Sequence, residues 1–272
     1  MSTVTADGLE RHITDGQFRI PPMSEVAQRV TELASDPDSS AAVFVELVHR
    51  DPGIASELLR YANSAALAAR VEIVSVRQAV VHLGIQRVSQ VALAASLRSG
   101  VFDAQAYAGL AKLHWTHSIA TALVAKRIAR LLTENVEVAF LCGLLWRIGA
   151  TLVLRAIGEF AEGASLPDED EADLLADELN ERFREAASEA WNLPTVVARA
   201  LTTRTFVGEK PIEACIASLA HDIAPQLLSD EPLDIEAYTA RPEAECLNLY
   251  PEHFDELAAL AEELRAELEA MP

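Results

Sequence analysis

The chain has 272 residues, enough for one large domain or two moderate ones, and half of them are hydrophobic. A formal net charge of −20 argues against nucleic-acid binding and against docking on an anionic membrane, since both draw on Lys and Arg. Aromatic residues make up only 6%, and an apolar content dominated by Ala, Leu, Val and Ile favours helices.

Residues 1–17 are polar and mixed in charge, without the apolar stretch of a signal peptide, and are expected to form a flexible lead-in. Ile20-Pro21-Pro22-Met23 closes an extended stretch, and Ser24 offers an N-cap for a helix carrying Val26, Val30 and Leu33. Asp36-Pro37-Asp38 breaks the pattern. A second helix follows from about Ser40 to His49, with Val43, Leu47 and Val48 as its inner face. At Asp51-Pro52 the carboxylate can cap orphan N–H groups, and proline suits the first helical position because its missing donor costs nothing there. Ser75 and Gln78 fit a capping box, and the helix they open should stop at Gly84 in a left-handed C-cap. Another helix spans about Gln86 to Leu97.

The second half reads as helices at about Leu110–Leu132, Glu137–Trp146, a short apolar stretch through Leu152 and Ile157, Leu174–Ala190, Pro194–Thr203, Ile212–Leu228 and Pro251–Glu269. The acidic stretch Pro167–Asp173 is expected to be a solvated loop or helix start. In the last helix Phe254, Leu257, Leu260, Leu264 and Leu268 recur at steps of three and four, a stripe expected in the core. No strand alternation persists, so the fold class is all-α. Two helical lobes are expected, at residues 18–108 and 109–272, with the junction between Gly100 and Gly109.

Cys142, Cys215 and Cys246 are odd in number and widely spaced, without zinc or disulfide patterning, and are expected as reduced thiols in a cytoplasmic protein. No apolar run approaches the about 20 residues of a membrane span.

Several ordered motifs carry a resemblance. The first half holds Ile20-Pro21-Pro22-Met23, then Asp51-Pro52-Gly53-Ile54-Ala55, Leu58 to Asn63-Ser64, Val76-Arg77-Gln78-Ala79-Val80 and Leu83-Gly84. The second half holds Trp115-Thr116-His117-Ser118, Gly143-Leu144-Leu145-Trp146-Arg147-Ile148-Gly149 and Trp191-Asn192-Leu193-Pro194. Over about residues 18–228 this set resembles the HDOD family, relatives of HD phosphohydrolases. The resemblance implies a two-lobed helical fold acting in bacterial signalling without a shared catalytic activity. Pro21, Asp51, Pro52, Asn63, Ser64, Gly84, Trp191 and Pro194 are its structural positions. Asn63-Ser64 either caps a helix or exposes a polar patch.

An HD hydrolase holds a metal that activates water, through a first His, an adjacent His-Asp pair and a later Asp. The resemblance puts the first His at His117 and replaces the pair by Trp146 and Arg147, whose indole and guanidinium have no lone pair to give. A double-His position falls near Arg204-Thr205, and the final Asp falls at His221, with Asp222 one residue late. That leaves too few ligands for a catalytic metal. No nucleophile elbow or phosphate-binding glycine loop appears either. His221-Asp222 reads as a helix-packing or surface pair, and His114 with His117 as satisfied histidines. Trp146 can fill the space of a lost metal. Arg147 either pairs with a carboxylate such as Asp222 or has drifted to the surface.

The resulting expectation is a non-enzymatic regulator or scaffold with no cofactor, binding a kinase, response regulator or cyclic-dinucleotide enzyme, with a homodimer as a further option. The alternatives are a sensor holding a nucleotide or small anion near Arg147, Arg204 or Lys210, and, last, a metal-dependent phosphohydrolase.

Overall fold

The protein is described by a computed structural model, which covers residues 4–34, 41–64, 67, 72–102, 104–160, 165–203, 211–229 and 231–272. Among these residues all repeating structure is helical. The first half contains α1 (Ala6–Thr14), α2 (Glu25–Ala34), α3 (Ala41–His49), α4 (Pro52–Ala62) and α5 (Val76–Gly100). The second contains α6 (Ala108–Leu131), α7 (Val136–Leu145), α8 (Ile148–Phe160), α9 (Glu169–Ala190), α10 (Thr195–Thr202) and α11 (Ile212–Leu228). Two short helices, α12 (Ile235–Thr239) and α13 (Pro242–Cys246), precede α14 (Pro251–Ala259) and α15 (Ala261–Ala270).

The local signals act as their chemistry dictates. Ser24 Oγ accepts from Ala27 N, and Asp51 Oδ1 accepts from Gly53 N at 2.9 Å and Ile54 N at 3.1 Å. Ser75 Oγ accepts from Gln78 N at 3.2 Å, while Gln78 Oε1 accepts from Val74 N, one residue earlier than a strict capping box. Asn63 closes α4 and clasps a neighbouring strand of chain. Its Nδ2 donates to Ile73 O and its Oδ1 accepts from Ile73 N, both at 2.8 Å. Asn63 thus caps the helix while remaining exposed, and Ser64 Oγ is buried beside it.

Four expectations change. Residues 6–14 of the supposed loose lead-in form a helix, because Leu9 and Phe18 are apolar enough to bury. Leu9 is fully buried, α1 packs on α8 and α9, and Phe18 meets Phe183 at 5.9 Å between ring centroids. Gly84 does break its helix, but at φ 80°, ψ 159° it is not a left-handed cap, and the chain resumes helical geometry as a kink within α5. Val43 is exposed, so α3 turns Leu47 and Val48 inward without it. The C-terminal stripe is buried at Phe254, Leu257 and Leu264, yet the helix breaks at Leu260 into α14 and α15.

The stretch Val136–Phe160 is long and apolar enough for a membrane span by length and composition, which the sequence reading did not anticipate. Here it bends at Trp146-Arg147 between α7 and α8, and most of it is buried inside the fold.

The two halves share one contiguous core running from Val4 to Met271. Motifs from opposite ends of the sequence touch directly, since Trp191 Nε1 donates to Pro21 O at 2.8 Å. Asn192 takes φ 47°, tolerable for asparagine, and so turns the chain from α9 into Leu193-Pro194 and α10. Gln90 on α5 donates to both carboxylate oxygens of Glu137 on α7 at 3.3 Å.

Burial raises the Glu137 carboxyl to about 7, against the lowering pull of Gln90, Lys126 and Arg130. A carboxyl whose folded value lies above its unfolded value binds its proton in the native state first. Stability therefore falls as pH rises from the unfolded value near 4.5 through about 7, by up to about 3 kcal/mol in total. The variant Glu137→Gln, which keeps the amide partner but not the charge, should flatten this part of the melting-temperature profile between about pH 5 and 8. An unchanged slope in the variant contradicts the assignment.

Candidate functional site

The segment Gly143–Gly149 lies where α6, α7, α8 and α9 meet. A Cβ on Gly143 would come 2.8 Å from Ala122 Cα and 2.9 Å from Thr121 O, so α7 needs glycine to lie this close to α6. On Gly149 it would come 1.9 Å from Asn180 O and 2.7 Å from Arg184 N, so α8 needs glycine against α9. The glycines of the motif are thus explained by helix packing, with no reference to a metal.

Between them, the Trp146-Arg147 turn is held from α9. Asn180 Oδ1 accepts from Ala150 N at 3.0 Å, and its Nδ2 donates to Trp146 O at 3.3 Å. Arg184 Nη1 donates to the same carbonyl at 3.1 Å, and its guanidinium sits 4.1 Å from the Trp146 ring centroid, in cation–π range. Arg184 is 2% exposed, and its burial lowers the guanidinium to about 10. Trp146 itself is 8% exposed and packs in the core.

Arg147 is buried for most of its length, with 14% of its side chain exposed, and its Nη2 donates to Asp177 Oδ1 at 2.5 Å. The pairing with a carboxylate holds, but the partner is not Asp222. Asp222 pairs with Arg241, and Tyr238 Oη donates to its backbone carbonyl at 2.9 Å. The Asp222 carboxyl is raised, by burial first, against the pull of Arg241.

Three histidines gather beside Arg147. His114 Nε2 donates to Asp173 Oδ1 at 2.8 Å and lies 3.4 Å from Arg147 Nη2, while its Nδ1 is buried with no partner among the described residues. His117 Nε2 donates to the carbonyl of His221 at 3.1 Å, and the two imidazoles stack 4.5 Å apart. Burial lowers all three imidazoles, and Arg147 pushes the same way. His221, with His117, Arg147, Arg184 and Arg241 around it, falls to about 3 and is neutral at physiological pH. His221-Asp222 is a helix-packing pair on α11, as its sequence frame suggests.

Asp173 and Asp177 are the residues the sequence reading missed. The acidic stretch is a solvated helix start, with α9 beginning at Glu169, and the four-residue spacing puts Asp173 and Asp177 on one face, where they reach His114 and Arg147. That spacing was the available signal. Nothing in the sequence singles out Arg184. Arg204, Thr205 and Lys210 lie outside the described residues.

This donor set does not fit a divalent metal. The indole and guanidinium cannot ligate, His117 gives its Nε2–H to a carbonyl, and His114 is tied to Asp173. Among the described residues no group of three His, Cys, Asp or Glu side chains is placed to hold a metal ion.

A separate cavity of about 660 Å³ opens between α4, α5 and α6. Its lining includes the acidic Asp51 and Glu57, the basic Arg98 and Lys112, and the aromatic Phe102 and Trp115. Those two rings meet edge-on at 4.8 Å, and Trp115 Nε1 donates to Pro272 O at 2.9 Å. Arg60 Nη2 donates to Met271 O at 3.1 Å. Residues of two family-like motifs, Asp51-Pro52-Gly53-Ile54 and Trp115-Thr116-His117-Ser118, therefore share this one opening.

No curated protein matches the chain. Among solved structures, an HDOD domain protein of unknown function from Geobacter sulfurreducens aligns at TM-score 0.72 and 17% identity, covering 96% of each chain. A protein from Shewanella amazonensis, named as a candidate metal-dependent phosphohydrolase, aligns at 0.72 and 19%, covering 97% of each. A candidate signal transduction protein from Marinobacter aquaeolei aligns at 0.65 and 22%, covering all of this chain and 62% of its own. At these identities the likenesses establish the fold. The HDOD domain itself matches residues 20–205, more than half the chain and every motif from Ile20 to Pro194, and the chain belongs to the HDOD family.

Proposed function

We propose that this protein serves bacterial signal transduction by binding a protein partner, without metal-dependent hydrolysis of a phosphoester. The observation that carries the reading is Arg147. At the motif position of an HD ligand pair it presents a guanidinium bonded to Asp177, next to histidines whose imidazoles burial pulls down. A guanidinium at that position has no lone pair for a metal, and its pairing with Asp177 engages the carboxylate beside it. The Marinobacter relative's name points to signalling, and the Shewanella relative's name points to hydrolysis. The Trp146-Arg147 pair, which offers a metal no lone pair, supports the signalling reading for this chain.

The binding face is the opening between α4, α5 and α6. Arg98 and Lys112 there are exposed on an otherwise acidic protein, so a partner presenting carboxylates or phosphate fits. A kinase, response regulator or cyclic-dinucleotide enzyme is the partner class that family membership suggests. A second reading, a sensor for a nucleotide or other small anion, is favoured at this same opening rather than near Arg147, whose charge is already matched by Asp177.

The test is capture from the native host on the wild-type chain and on an Arg98→Glu/Lys112→Glu variant, followed by reconstitution of any captured signalling protein with purified components. The expected result is a direct complex weakened at least about tenfold by the charge reversal. Cyclic dinucleotides that raise the melting midpoint of the wild type alone support the sensor reading instead. Manganese-dependent phosphodiesterase activity of the purified chain overturns both.

A further inference from the structure

Cys215 and Cys246 are 31 positions apart in sequence, and the fold brings their sulfur atoms to 2.6 Å. Cys215 lies in the first turn of α11 and is buried, while Cys246 ends α13 and is partly exposed. Both are thiols in this structure. Their separation is closer than unbonded sulfur atoms ordinarily rest and longer than the about 2.05 Å of a disulfide.

The placement follows from a built interface. Cys215, Ser218 and Asp222 recur at steps of three and four on α11, so they share one face. Facing them in order are Cys246, Glu243 and Arg241. Ser218 Oγ donates to the buried Glu243 Oε1 at 3.1 Å, Arg241 Nε donates to Glu243 Oε2 at 3.4 Å, and Arg241 pairs with Asp222. Two polar rungs thus hold α13 in register on α11, and the thiol pair forms the third.

We infer that Cys215 and Cys246 form a reversible redox site, closing an intramolecular disulfide that locks α13 onto α11. The oxidant is a peroxide or a small-molecule disulfide. With hydrogen peroxide, the accessible Cys246 thiolate attacks the O–O bond, giving a sulfenic acid and water. Cys215 then attacks that sulfur, the S–S bond forms, and a second water leaves. Overall, two thiols and one peroxide yield one disulfide and two waters. A dithiol reductant reverses the step by exchange.

The site is selective. Cys142 is fully buried on α7, and that burial pushes its thiol far above its ordinary value, so it supplies almost no thiolate. The closed disulfide clamps Arg241 against Asp222, beside the stacked His117 and His221. Oxidation of a surface-reachable thiol is in this way connected to the His117–His221 stack.

The experiment uses the full chain, reduced and then exposed to hydrogen peroxide at low molar excess. Intact mass should fall by two hydrogen atoms, peptide mapping should link Cys215 to Cys246, and Cys142 should remain open to alkylation after unfolding. Closing a loop of this length restricts the unfolded chain, so the melting midpoint should rise by roughly 5–10 °C and return with dithiothreitol. Cys246→Ser, at a partly exposed position, should abolish both effects, whereas Cys142→Ser should leave them intact. Full alkylation of Cys215 and Cys246 after peroxide, or a link through Cys142 or between two copies, overturns the inference. The mass and mapping readouts on the wild type decide the matter even if a variant fails to fold.

Discussion

Gly149→Ala should abolish the native fold or lower its melting temperature severely. The new methyl carbon would stand 1.9 Å from Asn180 O and 2.7 Å from Arg184 N, and both of those atoms belong to the backbone of α9. A flexible side chain could swing away, but a helix backbone cannot. Either α8 moves off α9, or the Asn180 and Arg184 bonds to the Trp146-Arg147 turn are lost. The expected cost is about 3 kcal/mol or more, at the upper end for overpacking. For a domain of this size that is a fall of roughly 6–12 °C in the midpoint. Gly143→Ala, which meets Ala122 and Thr121 backbone, should act in the same direction. Gly100→Ala, with nothing within 4 Å of the added carbon, is the control, and its midpoint should stay level or rise slightly. Equal midpoints for Gly149→Ala and Gly100→Ala would sink the packing account of the motif.

Removing the carboxylate of Glu267 should be comparably costly. Lys126 on α6 is 0% exposed, and its ammonium donates to Glu267 Oε1 on α15 at 2.6 Å. Arg127 donates to Glu267 Oε2 at 3.2 Å and to Glu263 Oε1 at 2.5 Å. Burial pulls the Lys126 ammonium down even with Glu267 beside it, whereas burial of Glu267 is overcome by Lys126 and Arg127, leaving its carboxyl below the usual range. The carboxylate keeps its charge because it faces Lys126, Arg127 and Arg87, whereas the ammonium has one carboxylate to hold it and is repelled by Arg87 and Arg127. The net worth of the intact pair is accordingly small, and the cost of halving it is large. Glu267→Met strands a buried cation and should lose about 3–5 kcal/mol, and Lys126→Met strands the carboxylate in the same way. A Lys126→Met/Glu267→Met double variant should recover most of that loss, since two apolar side chains need no partner. Chemical denaturation of the four members of this cycle measures it, and an additive double variant contradicts it. Because the Glu267 carboxyl is depressed, its contribution is present above the unfolded value near 4.5 and is lost as pH falls through the lower folded value.

Local chemistry was legible in the sequence wherever the partner is near in the chain. Asp51 and Ser75 cap the helices they precede, and Gly84 breaks its helix. The α6–α11 segments appear within a few residues of their expected ends, because apolar periodicity and caps are local properties. Leader residues such as Leu9 and Phe18 were misread because each is a lone apolar residue in a polar stretch. Their partners, α8, α9 and Phe183, lie more than a hundred positions away. The break at Leu260 carries no glycine or proline to announce it.

The candidate site divides the same way. The loss of ligand chemistry at Trp146-Arg147 follows from residue types alone, since no environment gives an indole or guanidinium a lone pair to donate. The identity of Arg147's partner does not, because Asp177 and Asp222 are both carboxylates distant from Arg147 in sequence and only helix packing ranks them. The burial of Arg184 over Trp146, the Trp191–Pro21 bond and the approach of Cys215 to Cys246 are equally invisible in the chain. The sequence by itself determined an all-helical HDOD chain with a metal pair replaced, because periodicity, capping and ligand chemistry reside in single residues and short spacings. Tertiary structure alone decided which charges are matched and which thiols meet, because those depend on distances between helices that no spacing encodes.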